Sequence, residues 1–224
     1  MSTARAAAVL LAKELRLEFR TRELLSATVV FALIVVVLFS FSFDPTPTES
    51  RPYGPGLLWI ALLFAGSLML QPSFAREQSN DTLDTLRMAP VSSFAILLGK
   101  MLANLVFLSL AEIVLLPVFA VLYNVSLSGI IGRLVIVFFL GTAGLVVTGT
   151  VFSAISARAR MRELLLPLLL LPILAPLLIA AVEATASLFM EPPELDRTWV
   201  AFLAGFDIVF LTASWLLCDF LLEE

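Results

Sequence analysis

Six long apolar runs constrain the fold of this chain most strongly. They cover residues 24–43, 56–75, 94–122, 130–157, 164–189 and 199–221, and a helix of ~20 residues crosses the ~30 Å of a bilayer's hydrocarbon. Only 14% of the residues are charged, whereas soluble domains average about 25%. Strand-length alternation is absent, which disfavours a β-barrel. The pattern predicts an all-α polytopic membrane protein, with six transmembrane helices in a single transmembrane domain over residues 1–224.

The residue inventory excludes several classes of enzyme. The chain has no histidine and a single cysteine, Cys218, so it lacks His-ligated metals, a Ser-His-Asp triad and a CxxC pair. A Walker-type loop is also missing, so any ATP hydrolysis belongs to a separate subunit. We therefore predict a protein that is not an enzyme, with no catalytic residue and no metal site.

The positions of Lys and Arg predict the orientation in the membrane. If the N-terminus is cytoplasmic, 3 of the 14 cations lie outside: Arg51, Arg133 and Arg197. The other 11 lie inside: Arg5, Lys13, Arg16, Arg20, Arg22, Arg76, Arg87, Lys100, Arg158, Arg160 and Arg162. Because Lys and Arg are enriched in cytoplasmic segments, we expect both termini to be cytoplasmic and the number of spans to be even.

The first 22 residues have the spacing of a basic amphipathic helix. The cations Lys13, Arg16 and Arg20 lie largely away from an apolar face formed by Ala8, Leu11, Ala12, Leu15 and Phe19. Such a helix typically lies in the membrane interface. The alternative is a helical extension of the first span.

A polar insert, "FAREQSNDTLDTLRMAP" (74–90), separates the second and third runs. The segment 77–90 is predicted to be helical: Asp81 can cap a short helix within it, and Pro90 ends that helix. Within it, Leu83 and Leu86 share a face with polar neighbours. The insert is either a solvated loop with a helical turn or a docking element with an apolar centre and a polar rim.

Three segments of the sequence resemble a known protein family. The segments "LLWIALLFAGSLMLQPSFAREQSNDTLDTLRMAPVSSFAILLGK" (57–100) and "LLLPLLLLPILAPLLIAAVEA" (164–184), with the start "KELRLEFRTRELL", are similar to the haem exporter protein B family, CcmB, of cytochrome c maturation. The overall pattern also looks like the membrane subunit of an ABC-2-type exporter.

The resemblance implies both a function and partners. It implies a membrane (permease) subunit for haem export, or for release of haem bound to its chaperone, in c-type cytochrome biogenesis. ATP would bind a CcmA-type ATPase, with CcmC-, CcmD- and CcmE-type proteins as further partners and haem as cargo rather than cofactor. The insert would be the helix that couples to the ATPase, through the residues that match the family pattern: Thr82, Leu83, Asp84, Leu86 and Pro90.

Three acidic residues and three prolines within the runs are further candidates. Glu112, Glu183 and Asp207 lie where ionisation is costly, so we expect each to be paired, protonated or directed at a cavity. Glu112 is either on a path for substrate or partner, or an interhelical hydrogen-bonding group. The fifth run contains Pro167, Pro172 and Pro176; the kinks these favour serve either flexing or a static bend.

Three other functions fit parts of the pattern. An ABC-2 exporter for another cargo, such as a lipid-linked glycan or a drug, shares the same membrane signals, and so does an assembly subunit with no transport path. The stretch "NDTLD" (80–84) looks like the start of a prenyltransferase Mg²⁺ motif, in which carboxylates bind the cation. A second aspartate cluster is missing from the sequence, which argues against the prenyltransferase.

Overall fold

The protein is described by a computed structural model over residues 2–43, 53–74, 91–156, 162–190 and 192–223. Side chains are described throughout these ranges except at 162–169 and 221–223. Within them no strand occurs, so the predicted all-α class is confirmed. The helices are α1 (Thr3–Thr21), α2 (Glu23–Ser42), α3 (Gly54–Leu70), α4 (Ser93–Leu122), α5 (Ile131–Ser156), α6 (Arg162–Phe189) and α7 (Arg197–Glu223).

Six stretches are long and apolar enough to cross a bilayer, which confirms a multi-pass membrane protein. They are Glu23–Ser42, Gly54–Phe74, Ser93–Leu122, Ile131–Ser156, Leu170–Phe189 and Arg197–Phe220. Lys100 at the start of α4 contacts Glu14 of α1 and Ser73 at the end of the α3 span, and Ser153 at the end of α5 contacts Leu70 of α3. One end of the bundle, which we call the α1 end, therefore holds α1, Phe74, the start of α4 and the end of α5.

The two central helices, α3 and α5, form the most buried part of the bundle. Within their most apolar windows 61% and 72% of the residues are buried, against 17% in α2 and in α7. Small residues permit this closeness: Gly141 lies against the Trp59 ring and Gly149 against Leu70. In lipid, helices associate through such close packing rather than through a hydrophobic driving force. The core therefore positions α4, α6 and α7 around α5.

The N-terminal helix is separate from the first span. Arg22 has φ 55° and ψ 16°, the left-handed conformation, which ends α1 and turns the chain into α2. The buried Glu18 accepts a hydrogen bond from the Leu25 backbone N–H at 2.8 Å. This bond satisfies one of the amide donors that the start of α2 leaves free. The turn at Arg22 therefore argues against a continuous extension of the first span.

The face by which α1 packs differs from the predicted apolar face. Ala7 and Leu10 contact Gly99 of α4, and Glu14 and Glu18 continue that face. By contrast Ala8 and Phe19, predicted to lie on the apolar face, are exposed, and Leu11, Ala12 and Leu15 are half-buried. The sequence pattern does not indicate this packing face, because Glu14 and Glu18 are charged and yet have partners inside the protein.

Candidate functional site

A buried lysine joins three helices at the α1 end. The Lys100 ammonium donates to the Ser73 backbone carbonyl at 2.5 Å and contacts Glu14 Oε1 at 3.3 Å. It also lies 5.0 Å from the centre of the Phe74 ring, a cation–π distance. Because Lys100 is only 4% exposed, these partners replace the water that its charge would otherwise require. Lys100 thus ties α1, the end of the α3 span and α4 together.

Asn104, one turn after Lys100, extends this arrangement to α5. Its amide nitrogen donates to Ser73 Oγ and to Thr150 Oγ1, each at 3.1 Å. One turn further along α5, Ser153 Oγ donates to the Leu70 carbonyl at 2.7 Å. We call Glu14, Ser73, Phe74, Lys100 and Asn104 the Lys100 cluster. It fixes the register of the central helices at the α1 end.

The Lys100 cluster also holds one side of the polar insert. Phe74, the first residue of the insert and the last one described before Val91, is 1% exposed. On the other side Ser92 caps α4 by accepting a bond from the Ala95 N–H at 3.3 Å. Residues 75–90 of the insert lie outside the described residues. They include the whole of the predicted helix 77–90 and the predicted coupling residues Thr82, Leu83, Asp84, Leu86 and Pro90.

Two of the three candidate acids are buried at the middle of the bundle. Glu112 of α4 accepts a hydrogen bond from the Thr142 hydroxyl of α5. Asp207 of α7 packs against Gly144 of α5, and its Oδ1 has no hydrogen-bond partner among the described residues. Thr142 and Gly144 are two residues apart, and therefore ~200° apart around the helix. The two acids lie on different sides of α5 and do not form a carboxyl dyad.

The third acid and the prolines lie elsewhere. Glu183, Pro172 and Pro176 are exposed on the outside of α6, and the Pro167 side chain lies outside the described part. Glu183 faces away from the bundle because α6 packs with its opposite face, and that this acid is paired, protonated or directed at a cavity stays a prediction. The sequence pattern does not indicate which face of α6 is buried, because apolar residues lie on every side of this helix.

A pocket opens at the end opposite α1. It has a volume of about 470 Å³, and its walls include the Phe119, Tyr123 and Phe189 side chains. The Phe119 and Tyr123 rings stack with centroids 4.3 Å apart, and Phe119 and Phe189 are 6.2 Å apart. Burial raises the pKa of the Tyr123 hydroxyl above its ordinary value. Among the described residues no group of three or more His, Cys, Asp or Glu could bind a metal.

The Lys100 cluster was missed by sequence reasoning, although a signal existed. Lys100 and Asn104 are polar residues four apart in an apolar run, so they share a helix face. The positive-inside pattern includes Lys100 only as one of the cations that set orientation. A charged residue seven positions inside a span is more informative as a buried group that needs partners.

The chain is similar to known proteins over most of its length. The family described as "CcmB protein" matches residues 5–218. Heme exporter protein B of Pseudomonas aeruginosa is 32% identical over 198 residues, 88% of each chain. The protein of the same name from Rhodobacter capsulatus is 34% identical over 174 residues, 78% of this chain and 79% of that one. The Bradyrhizobium diazoefficiens protein is 28% identical over 187 residues, 84% of each. This chain belongs to the CcmB protein family.

Proposed function

We propose that this chain is the membrane subunit of an ABC-type complex for haem export, or for release of haem bound to its chaperone, in c-type cytochrome biogenesis. The observation that carries the proposal is family membership over residues 5–218, with relatives named heme exporter protein B. ATP would be hydrolysed by a CcmA-type ATPase. CcmC-, CcmD- and CcmE-type proteins would complete the complex, and haem would be cargo.

The proposed location is a bacterial inner membrane with both termini in the cytoplasm. Arg5, Arg16 and Arg20 are exposed on α1, where they can meet anionic headgroups. Val9 and Phe19 are also exposed on this helix, which suits a position at the membrane interface. The sequence also places most of the other Lys and Arg residues, including Arg76, Arg87 and Arg158, in segments on the same side, as the positive-inside rule expects for the cytoplasmic side.

The proposed mechanism is coupling through the polar insert. Leu83 and Leu86 would dock on the ATPase, with Thr82 and Asp84 on the polar rim and Pro90 ending the helix. A movement of the insert would reach Ser73 and Phe74, and through Lys100 both α1 and α4. ATP-driven change in the ATPase would then favour one arrangement of the spans over another, because the contacts differ between the two arrangements.

The cargo assignment is tested by haem staining of c-type cytochromes. A strain lacking the gene should lose covalent haem in these proteins, and plasmid-borne wild-type protein should restore it. Normal staining in the deletion strain would exclude a role in cytochrome c maturation. In that case an ABC-2-type exporter for another cargo becomes the leading function.

The coupling assignment is tested by a double substitution in the insert. L83D with L86D should abolish co-purification of the ATPase, because two carboxylates replace the apolar centre of the docking surface. The matched control, S126D with S128D, adds the same charges at exposed positions of the opposite end and should leave co-purification intact. Retention of the ATPase by the L83D/L86D protein would disprove the coupling role.

A further inference from the structure

One face of α6 is left uncovered by the rest of the chain. Pro172, Pro176, Ile179 and Glu183 are all exposed and follow one another at helical spacing, three or four residues apart. We call these four residues the α6 stripe. The opposite face, which includes Leu174, Leu177 and Ala181, is fully buried against the bundle. The stripe therefore meets whatever surrounds the protein in the membrane.

Glu183 is unusual among the charged residues of the described spans. It lies six residues before Phe189, where its span ends, and therefore ~9 Å inside the apolar segment. The other charged residues with described side chains are either buried, as Lys100, Glu112 and Asp207 are, or lie within two residues of a span end, as Glu23, Arg133, Arg197 and Asp219 do. A lipid covering would leave the Glu183 carboxyl in hydrocarbon, which is costly.

The stripe presents hydrogen-bond acceptors. Pro172 and Pro176 have no N–H, so the carbonyls of Leu168 and Pro172 lose their usual helical donors. These oxygens and the Glu183 carboxylate occur within about four turns of one helix. A surface of acceptors in a membrane is complementary to a helix that supplies donors, and above all to a cation paired with the carboxylate.

A second copy of this chain is a poor occupant of the stripe. A twofold contact would place Glu183 against Glu183 of the other copy, and like charges disfavour that contact. Arg133 and Arg197 lie at the ends of their spans and are therefore nearer the membrane surface than Glu183. Arg133 Nη1 already donates to the Pro193 carbonyl at 2.9 Å. No described residue offers an exposed cation at the level of Glu183.

We propose that the α6 stripe docks a transmembrane helix of a different membrane subunit, one that carries Lys or Arg level with Glu183. The apolar part of the stripe supplies packing and the carboxylate fixes register and partner choice. This interface would form regardless of the cargo that the complex moves.

Photo-crosslinking in native membranes tests the proposed interface directly. A photoreactive phenylalanine derivative replaces Ile179, which leaves Glu183 in place, and the full complex is irradiated and digested for mass spectrometry. We expect an adduct with an apolar segment of another chain that contains Lys or Arg within about one turn of the crosslink. Ile208, exposed on α7, is the control position and should not give that adduct. Adducts with lipid alone, or with a second, differently tagged copy of this chain, would overturn the proposal.

Substitution of Glu183 tests the role of its charge. E183Q should lower the yield of the Ile179 adduct by about threefold, and E183K by more than about tenfold, because a second cation meets the first. E194Q removes an exposed carboxylate outside the spans and should change nothing. A monodisperse gel-filtration profile of E183K shows that it still folds. An unchanged adduct yield in folded E183K refutes the charge pairing, whereas rescue by a carboxylate at the partner's cation establishes it.

The crosslinking and haem-staining results together distinguish a failure of this interface from a failure of the proposed function. If the crosslinked subunit belongs to no cytochrome c maturation complex, the docking surface stands and the haem assignment fails. If cytochromes lose haem in the deletion strain while Ile179 reacts only with lipid, the haem assignment stands and the docking surface fails.

Discussion

Glycine at position 144 allows two neighbouring helices to approach α5. A Cβ there would lie 2.6 Å from Asp207 Oδ1 of α7 and 2.8 Å from Leu177 Cδ1 of α6. Both distances are shorter than van der Waals contact, so a Cβ at position 144 requires the Asp207 and Leu177 side chains to shift. In a membrane protein this closeness is itself a source of stability, since packing supplies much of the attraction between helices.

G144A should therefore lower stability by about 1–3 kcal/mol, the usual cost of overpacking. G132A is a matched control in the same helix, because a Cβ at Gly132 meets nothing within 4 Å. The thermal midpoints of the two purified proteins in detergent provide the measurement. Equal midpoints for G144A and G132A would show that the packing around residue 144 accommodates a methyl group without loss of stability.

Glu112 joins α4 to α5 through the Thr142 hydroxyl. The amide oxygen of glutamine can accept the same bond, so E112Q should keep both the fold and c-type cytochrome production. E112L leaves Thr142 without its acceptor at a buried position and should cost about 1 kcal/mol. Thermal midpoints and haem staining of the two variants check this. If E112Q loses haem staining as completely as the deletion strain does, the charge of Glu112 itself is needed.

At the scale of elements, Lys100 is the polar contact that joins α1 to α4, beside the packing of Ala7 and Leu10 on Gly99. K100M should leave Ser73 and Glu14 without this partner and loosen α1, because a buried cation with several partners is costly to remove. Hydrogen exchange should rise in α1 and around residues 70–74, and stay unchanged in the centre of α5. K13M is the control, since Lys13 is exposed and its 3.4 Å contact with Glu14 is worth little. Equal exchange in the two variants would argue against a structural role for Lys100.

The sequence predicted the six apolar helices because membrane spans are long and continuous, so composition alone detects them. It did not predict which face of a span is buried. Glu183 and Asp207 have similar sequence surroundings, yet one is exposed and the other buried, because burial depends on which neighbour packs on each side. The Lys100 cluster was missed for a related reason: its partners, Glu14 and Ser73, are distant in sequence from Lys100 and become neighbours only after folding.

For the whole molecule, the distribution of charge and the direction of the helices should agree. The α1 end carries the exposed cations of α1, whereas the opposite end has the loop with Ser126 and Ser128 between α4 and α5. From the positive-inside rule we predict that α1 lies in the cytoplasm and this loop outside. A bundle with an even number of spans requires both chain ends on one side, so a single pair of labelled positions tests the arrangement.

Only one cysteine has to be replaced for this test, because the sequence contains Cys218 alone, and this residue is buried. In a C218A background, S128C should react with a membrane-impermeant maleimide added to intact spheroplasts. S2C, at the exposed start of α1, should react only after the membrane is permeabilised. The physical reason is that translocating a basic helix against the membrane potential is unfavourable, at ~2.3 kcal/mol per charge per 100 mV. Labelling of S2C in intact spheroplasts would reverse the topology and place Ser73 and Ser92, which flank the polar insert at the α1 end, beyond the reach of a cytoplasmic ATPase.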